Sequence, residues 1–539
     1  MGAASNFHAM DIPRMGVPDE LADRPLAEQH EYLRSKFSRR TMMRGGAVTI
    51  GAVAGGVFLP GAASAATPAA SFAAAPHTAT EHVDGALVAP MGRHLSYGED
   101  PRTEMTVSWQ VPVAVKKPFI RIGSHAGDLS RKIPAEIRAL YTPAGVGTSA
   151  DHTQYYVHAK LSHLRPGQTY YYGVGHDGFD PASPRFASTV STFTTAPSRS
   201  ERFTFTAFGD QGVSYHALAN DSLILAQGPS FHLHAGDIAY ADPSGSGQTT
   251  DTFDARTWDQ FLAQTETVAK SVPWMVSYGN HDMEAWYAPH GYGSQEARFV
   301  PPANGPDPKN LPGVYSFVHG NTAVISLDAN DVSWEIPANL GLSGGTQTKW
   351  FEAQLKKFRA HGSGVDFVVV FFHHCAYCTA TSHASEGGVR KEWVPLFEKY
   401  TVDLVINGHN HVYERSDVLK GEKVTKELPI GGTAYPETDG VVYVTAGAAG
   451  KSLYAFPVAD SYEGNEKKVD PFASYVTQAD GSKKAVTVDW SRVRYTNYSF
   501  LRVDVEPAPV GRTAKLTVRG LAETGEEIDR FVVARKVRR

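Results

Sequence analysis

The sequence predicts an α/β protein preceded by an all-β segment. Three observations predict it. Short apolar or alternating runs recur between residues 203 and 406, and each stops just before a polar block that usually opens with glycine. Stretches with apolar residues at helical spacing lie between those runs. Residues 80 to 197 instead carry alternating runs separated by turn residues.

The first 65 residues read as an export signal. Ser38-Arg39-Arg40-Thr41-Met42-Met43 is a twin-arginine pattern, Ala47 to Leu59 is weakly apolar, and Ala63-Ser64-Ala65 is a small-residue cleavage signature. A weak apolar region ending in a cleavage motif favours removal after Ala65 over a short membrane anchor. The long polar stretch 1–37 resembles bacterial Tat substrates. It implies passage through the Tat export machinery, a linker over 66–79, and a secreted or cell-wall-associated product with no stable membrane anchor.

Within 80–197, Met105 to Trp109 reads as a strand with an inward Trp, Tyr155 to Leu161 alternates, and Ser191 to Thr195 is a closing strand. Leu164 to Tyr172 resembles the turn and following strand of a fibronectin type III domain, including a tyrosine corner. Ala196 to Ser200 then forms a linker. The expected role of this part is to pack on a catalytic domain over 201–539, not to adhere to anything.

In that second part, Phe203–Phe208, Phe231–Ala235, Val272–Tyr278, Asp366–Phe372 and Val402–Ile406 read as strands. The run through Phe372 is continuous, as in a strand buried on both faces. Gln347 to Ala360 and Arg390 to Tyr400 read as helices, the first with Phe351, Leu355 and Phe358 on one face. Val441 to Gly450 is a further core strand and turn. Asp460 to Lys484 reads as a polar surface excursion. Tyr498–Val505 and Ala514–Val518 read as terminal strands followed by a charged tail.

The strand ends carry the chemistry. They deliver Asp210, Asp237 with Tyr240, Asn280 with His281, His373, and His409 with His411. Successive strand ends converge on one edge of an open sheet, where α/β layers place their sites. Carboxylate, phenol, amide and imidazole groups suit hard or borderline metals rather than a thiolate-bound zinc. Two metals about 3.5–4 Å apart, sharing an acidic side chain, can clamp the attacking and leaving oxygens of a phosphoryl displacement.

These blocks resemble those of the purple acid phosphatases, within the calcineurin-like metallophosphoesterases. The wider superfamily opens with Asp-x-His; here position 212 is Gly, and a Tyr three residues after the second Asp takes over as ligand. Val412-Tyr413-Glu414-Arg415 after the last block is also similar to that family. The resemblance implies a four-layer α/β/β/α sandwich preceded by the fibronectin-like domain. It implies ferric iron at Asp210, Asp237, Tyr240 and His411, and a divalent metal (Fe, Zn or Mn) at Asp237, Asn280, His373 and His409, with Asp237 bridging. Two carboxylates and a phenolate offset a trivalent ion, whereas a neutral amide and imidazoles suit a divalent one. A phenolate bound to ferric iron would colour the protein, and a metal-bound hydroxide would attack phosphorus in line.

His281 is then expected to contact phosphate. Plant-type members carry two adjacent His about ten residues past the Val-x-x-His ligand; this chain has Ser382-His383 there, with Glu386 following. His383 is the expected leaving-group acid or phosphate contact. His374 points opposite to His373 on a strand and is expected to pack. Asp210 could alternatively cap a following helix, but a cap does not explain the other blocks. Cys375 and Cys378, the only cysteines, favour a small disulfide in an exported protein.

Composition bounds the rest. At 42% hydrophobic and 20% charged residues, 539 residues are enough for more than one ordinary folded domain. A net charge of −5 without a basic stripe excludes nucleic acid as a dedicated partner. The expected substrates are small phosphate esters. A secreted acid phosphatase acting on monoesters is the leading expectation; an iron-dependent exported phosphodiesterase, and a phosphate- or surface-binding protein on an inactive scaffold, are the alternatives.

Overall fold

The computed structural model describes residues 83–146 and 151–538. The signal, its cleavage position and the whole linker therefore lie outside the described residues. Strands β1 (Met91–Tyr97), β2 (Met105–Val111), β3 (Phe119–Gly123), β4 (Arg131–Pro134), β5 (Glu136–Thr142), β6 (His152–Leu161), β7 (Thr169–Gly175) and β8 (Ser191–Thr194) come first. They pair into two antiparallel four-stranded sheets, β1-β2-β6-β5 and β4-β3-β7-β8. Val107, Trp109 and Val157 of one sheet share a buried core with Ile120, Tyr172 and Val174 of the other. The Tyr170 hydroxyl accepts the Arg165 N–H at 2.8 Å and pins the turn before β7.

Two larger sheets follow. The first runs β11 (Trp274–Ser277), β10 (Phe231–Ala235), β9 (Phe203–Phe208), β25 (Ser499–Glu506), β26 (Thr513–Ala522), β27 (Glu527–Lys536), β20 (Thr433–Ala434). The second runs β12 (Tyr315–His319), β13 (Thr322–Ser326), β14 (Phe367–Phe372), β16 (Leu404–Asn407), β21 (Tyr443–Ala446), β17 (Tyr413–Ser416), β24 (Ser491–Tyr495). Small sheets add β15 (Ser385–Glu386) with β22 (Phe472–Thr477) and β23 (Lys483–Val488), and β18 (Val418–Lys420) with β19 (Lys423–Lys426).

The apolar run of β14 explains the layering. Its side chains alternate between faces. Phe367, Val369 and Phe371 join Phe205, Ala207 and Leu233 of the first sheet in the inner core. Val368, Val370 and Phe372 pack outward on Phe351, Leu355, Phe358 and Phe397 of the helices Thr346–Arg359 and Val394–Lys399. On the opposite outer face, Phe208, Trp274 and Val276 meet Ile224, Trp258 and Phe261 of the helices Tyr215–Gln227 and Arg256–Ala269. The order is thus helix, sheet, sheet, helix, preceded by a β-rich domain.

The β-rich domain grips the helix Arg256–Ala269. Arg93 pairs with Glu266 at 2.6 Å, the Gln110 and Gln154 amides donate to Asp259 at 2.7 and 2.6 Å, and the Tyr172 hydroxyl donates to the Lys270 carbonyl at 2.7 Å. That helix backs β10 and so supports the strand leading to Asp237.

Three expectations need correction. The stretch 390–400 is not one helix: Gly387–Glu392 and Val394–Lys399 are separated at Trp393. Pro395 has no N–H to continue the ladder. Residues 460–484 are not all excursion, because β22 lies among them and pairs with β15 and β23. The end of the chain is no tail. β27 pairs with β26, and Phe531 and Val533 are fully buried.

Candidate metal centre

Each expected ligand sits one to five residues beyond a strand of the two large sheets. Asp210, Asp237 and Asn280 follow β9, β10 and β11; His373 follows β14; His409 and His411 follow β16. Parallel pairing of β10 with β9 and β11, and of β14 with β16, brings these ends to one edge. The site is built where the two sheets face each other.

The structure brings all seven residues together in two adjoining groups. In one, the Tyr240 hydroxyl donates to Asp210 Oδ1 at 3.1 Å and lies 2.8 Å from His411 Nε2, which is 3.3 Å from Asp210 Oδ1. In the other, His373 Nε2 lies 3.1 Å from Asp237 Oδ2, 3.2 Å from Asn280 Oδ1 and 3.2 Å from His409 Nδ1. Asp210 does not cap the next helix; the Ser214 side chain does, accepting from Ala217 N–H.

Hydrogen bonds outside the site aim each ligand atom inward. His373 Nδ1 meets the Ala235 carbonyl at 2.9 Å and His411 Nδ1 meets the Ser452 carbonyl at 2.6 Å, leaving Nε2 facing the site in both. His409 is turned the other way, with Nε2 at 3.2 Å from Glu335 and Nδ1 inward. The Asn280 amide donates to Gly245 O at 3.0 Å, which frees its oxygen. The buried Asp282 carboxylate accepts from the N–H groups of Asp237, Ile238 and Gly279 at 2.9, 3.0 and 2.8 Å and fastens two ligand loops together.

Backbone strain accompanies this convergence. Asp210, Asp237, Tyr240 and His409 have φ of 62°, 53°, 56° and 65°. A left-handed non-glycine residue costs on the order of 1–3 kcal/mol and persists only when its surroundings hold it. Space is equally tight at Gly408. A Cβ there would lie 2.6 Å from Asp210 Oδ2 and 2.7 Å from the Ala235 carbonyl.

The residues fit a pair of cations. Asp210 Oδ2 is buried with no hydrogen-bond partner, an expensive arrangement for a carboxylate oxygen without a counter-charge. Burial pushes His373 down, yet the Asp237 and Asp210 charges lift it to about 10. Burial drives Tyr240 well above its ordinary value, and Asp210 and Asp237 add to that. Both carboxylates therefore act on both groups of ligands, and both groups want positive charge. His409 is pushed down to about 4 by burial and by neighbouring His383, so it stays a neutral donor.

His281 and His383 flank the ligands. The backbone N–H of His281 donates to Asp237 Oδ1 at 2.9 Å, its Nδ1 meets Asp242 O at 2.6 Å, and Nε2 is 3.8 Å from Asp237 Oδ2. His383 stands with its ring 4.2 Å from that of His409. His374 is buried, with its ring 4.3 Å from that of His409 and neither nitrogen hydrogen-bonded, consistent with a packed side chain. Cys375 and Cys378 are buried free thiols rather than the expected disulfide, and Cys375 Sγ donates to the Gly408 carbonyl at 2.9 Å.

Sequence reading missed three side chains here. Glu335 bridges His383 and His409 at 2.8 and 3.2 Å. Tyr454 stacks on His411 with ring centroids 4.1 Å apart. The Lys451 ammonium lies 4.2 Å above the Tyr240 ring. Only the Gly-rich turn ending at Gly450 hinted that residues 451–454 lie near the site.

Comparison with known proteins agrees with the geometry. The purple acid phosphatase N-terminal domain matches residues 90–195, and the calcineurin-like phosphoesterase family matches 203–413. An uncharacterised protein of Mycobacterium tuberculosis is 31% identical over 468 residues, covering 80% of this chain and 84% of its own. Human acid phosphatase type 7 is 26% identical, covering 78% and 87%. The solved purple acid phosphatase from yellow lupin (Lupinus luteus) seeds superimposes with a TM-score of 0.61 at 20% identity, covering 83% of this chain and 75% of its own, which speaks for the fold. The chain belongs to the purple acid phosphatase family of the calcineurin-like metallophosphoesterases.

Proposed function

We propose that this protein is a secreted acid phosphatase that hydrolyses phosphate monoesters at a centre of ferric iron and a divalent metal. The observation that carries this reading is the meeting of Tyr240, Asp210 and His411 beside the group Asp237, Asn280, His373 and His409. The first group would hold the ferric ion and the second the divalent one, with Asp237 between them. Such a pair supplies an activated water and offsets charge on phosphorus-bound oxygens during in-line displacement.

The chain's own residues do the rest. Asp210 and Asp237 provide the negative charge that selects cations for this pocket, and Tyr240 would add to it only on giving up its proton. His281, held by Asp242 O and by its own N–H on Asp237, places Nε2 where a phosphate oxygen can accept from it. His383 is the candidate donor of a proton to the leaving alcohol. Export by the Tat route is supported by Ser38 to Met43 and by the small-residue motif ending at Ala65. That route carries folded proteins, which would let both metals load beforehand.

Metal analysis, a visible spectrum, and turnover of a nitrophenyl monoester against a bis-nitrophenyl diester test the reading. Two metals, a band lost in Tyr240→Phe, and monoester preference are expected. Diester preference would replace the monoesterase reading with the phosphodiesterase one. Active but colourless protein would remove ferric iron from it.

A further inference from the structure

Glu335 reaches the site from a loop that carries no expected ligand. Its two carboxylate oxygens are committed to different imidazoles: Oε1 to His383 Nδ1 at 2.8 Å and Oε2 to His409 Nε2 at 3.2 Å. Its side chain is 16% exposed, so these bonds are not a loose surface pair. The loop itself is held from behind. Glu386 accepts from Trp334 N–H at 3.0 Å, Glu335 N–H at 3.1 Å and Ser333 Oγ at 3.2 Å, and from Gly388 N–H at 2.9 Å. The family-spaced glutamate is therefore spent on building the Glu335 loop.

A carboxylate is acceptor-only, so it fixes the tautomer of any neutral imidazole it meets. His409 then carries its proton on Nε2 and turns the Nδ1 lone pair toward His373 and Asp237. His383 gives its Nδ1–H to Glu335 and turns Nε2 toward the Tyr454 hydroxyl at 3.3 Å. The proton for a leaving oxygen is therefore the second one, carried on Nε2 by the imidazolium form that pairs with the Glu335 carboxylate. The first histidine of the plant-type pair is absent. Ser382, which stands in its place, is exposed, and its carbonyl accepts from Lys483 at 2.9 Å. A histidine lacking that neighbour needs another orienter.

We propose that Glu335 is the positioning residue of this centre, orienting the metal ligand His409 with one oxygen and the leaving-group donor His383 with the other. It rests on the phosphatase reading above. Glu335 touches neither substrate nor metal; it acts through the two imidazoles.

Three variants of the full exported chain test this: Glu335→Gln, His383→Asn and the double variant. The readouts are metal retention against a chelator and the rate ratio of a nitrophenyl phosphate to an alkyl phosphate, whose poor leaving group depends on a proton donor. Glu335→Gln should weaken metal retention by about 10–100-fold and should penalise the alkyl ester more than the nitrophenyl ester. His383→Asn should reproduce the leaving-group effect with wild-type metal retention. The double variant should be no more leaving-group dependent than His383→Asn. Wild-type retention and an unchanged ester ratio in Glu335→Gln would overturn the proposal. So would metal loss in His383→Asn, which would make Glu335, His383 and His409 a ligand set in their own right. Should Glu335→Gln not fold, retention in His383→Asn still decides between those outcomes. A wild-type protein without ester turnover sinks the phosphatase reading instead.

Discussion

Asp237 is the residue on which both groups of ligands depend. Burial pushes its carboxyl up, but His373, His281 and His409 together hold it well below the ordinary range. Asp237→Ala removes that charge and the acceptor of the His281 N–H. Bound metal should drop toward one equivalent and turnover should fall by at least about a hundredfold, read by elemental analysis and a nitrophenyl ester assay. Gly408→Ala tests geometry instead of charge. A methyl group 2.6 Å from Asp210 Oδ2 must displace the carboxylate or the Ala235 carbonyl. Lower metal affinity in a folded protein is the expected result, checked by chelator competition alongside circular dichroism.

At the scale of elements, the last strand is an integral part of the sheet. Asp529 on β27 receives Arg415 Nε at 2.6 Å, Arg415 Nη2 at 3.0 Å and the Tyr413 hydroxyl at 2.8 Å, all fully buried. These bonds tie the first large sheet to β17 of the second. Asp529→Ala leaves a guanidinium buried without its partner and should cost about 3–5 kcal/mol, measured by urea unfolding. The sequence hid this strand because charged residues occupy most of its outward positions, as with Glu527, Arg530 and Lys536, while the inward Phe531 and Val533 are too few to announce a period. The five ligand strands were legible for the opposite reason. Each is short, apolar and closed by a block whose side chains have only one place to converge. Glu335 was not legible. Its neighbours Trp334 and Ile336 carry no glycine or strand signal, and its role exists only once Glu386, from another loop, holds the backbone.

On the scale of the whole molecule, His319 marks where three sheets meet. It ends β12, its ring lies 4.4 Å from Phe203 of β9, and its Nδ1 lies 3.4 Å from the Tyr97 hydroxyl of β1. Burial pushes this imidazole down to about 3. The unfolded chain binds that proton from about pH 6.5 downward, whereas the fold refuses it until about pH 3. Its contribution to stability is thus complete above the unfolded value and is lost as the pH falls. By pH 5 the loss amounts to about 2 kcal/mol. His319→Gln should therefore show a smaller fall in urea midpoint between pH 7.5 and pH 5 than the wild type. Removing the metals should lower the melting temperature, because Asp210, Asp237 and Asn280 follow strands of one sheet and His373, His409 and His411 follow strands of the other.

The position of β25 carries a consequence for biogenesis. β9, which delivers Asp210, is flanked by β10 on one side and by β25 on the other, and β25 begins at Ser499. A nascent chain paused before that point has every ligand already synthesised but an open β9 edge, inviting pairing with other chains. Truncation before Ser499 should therefore yield aggregates rather than a smaller enzyme.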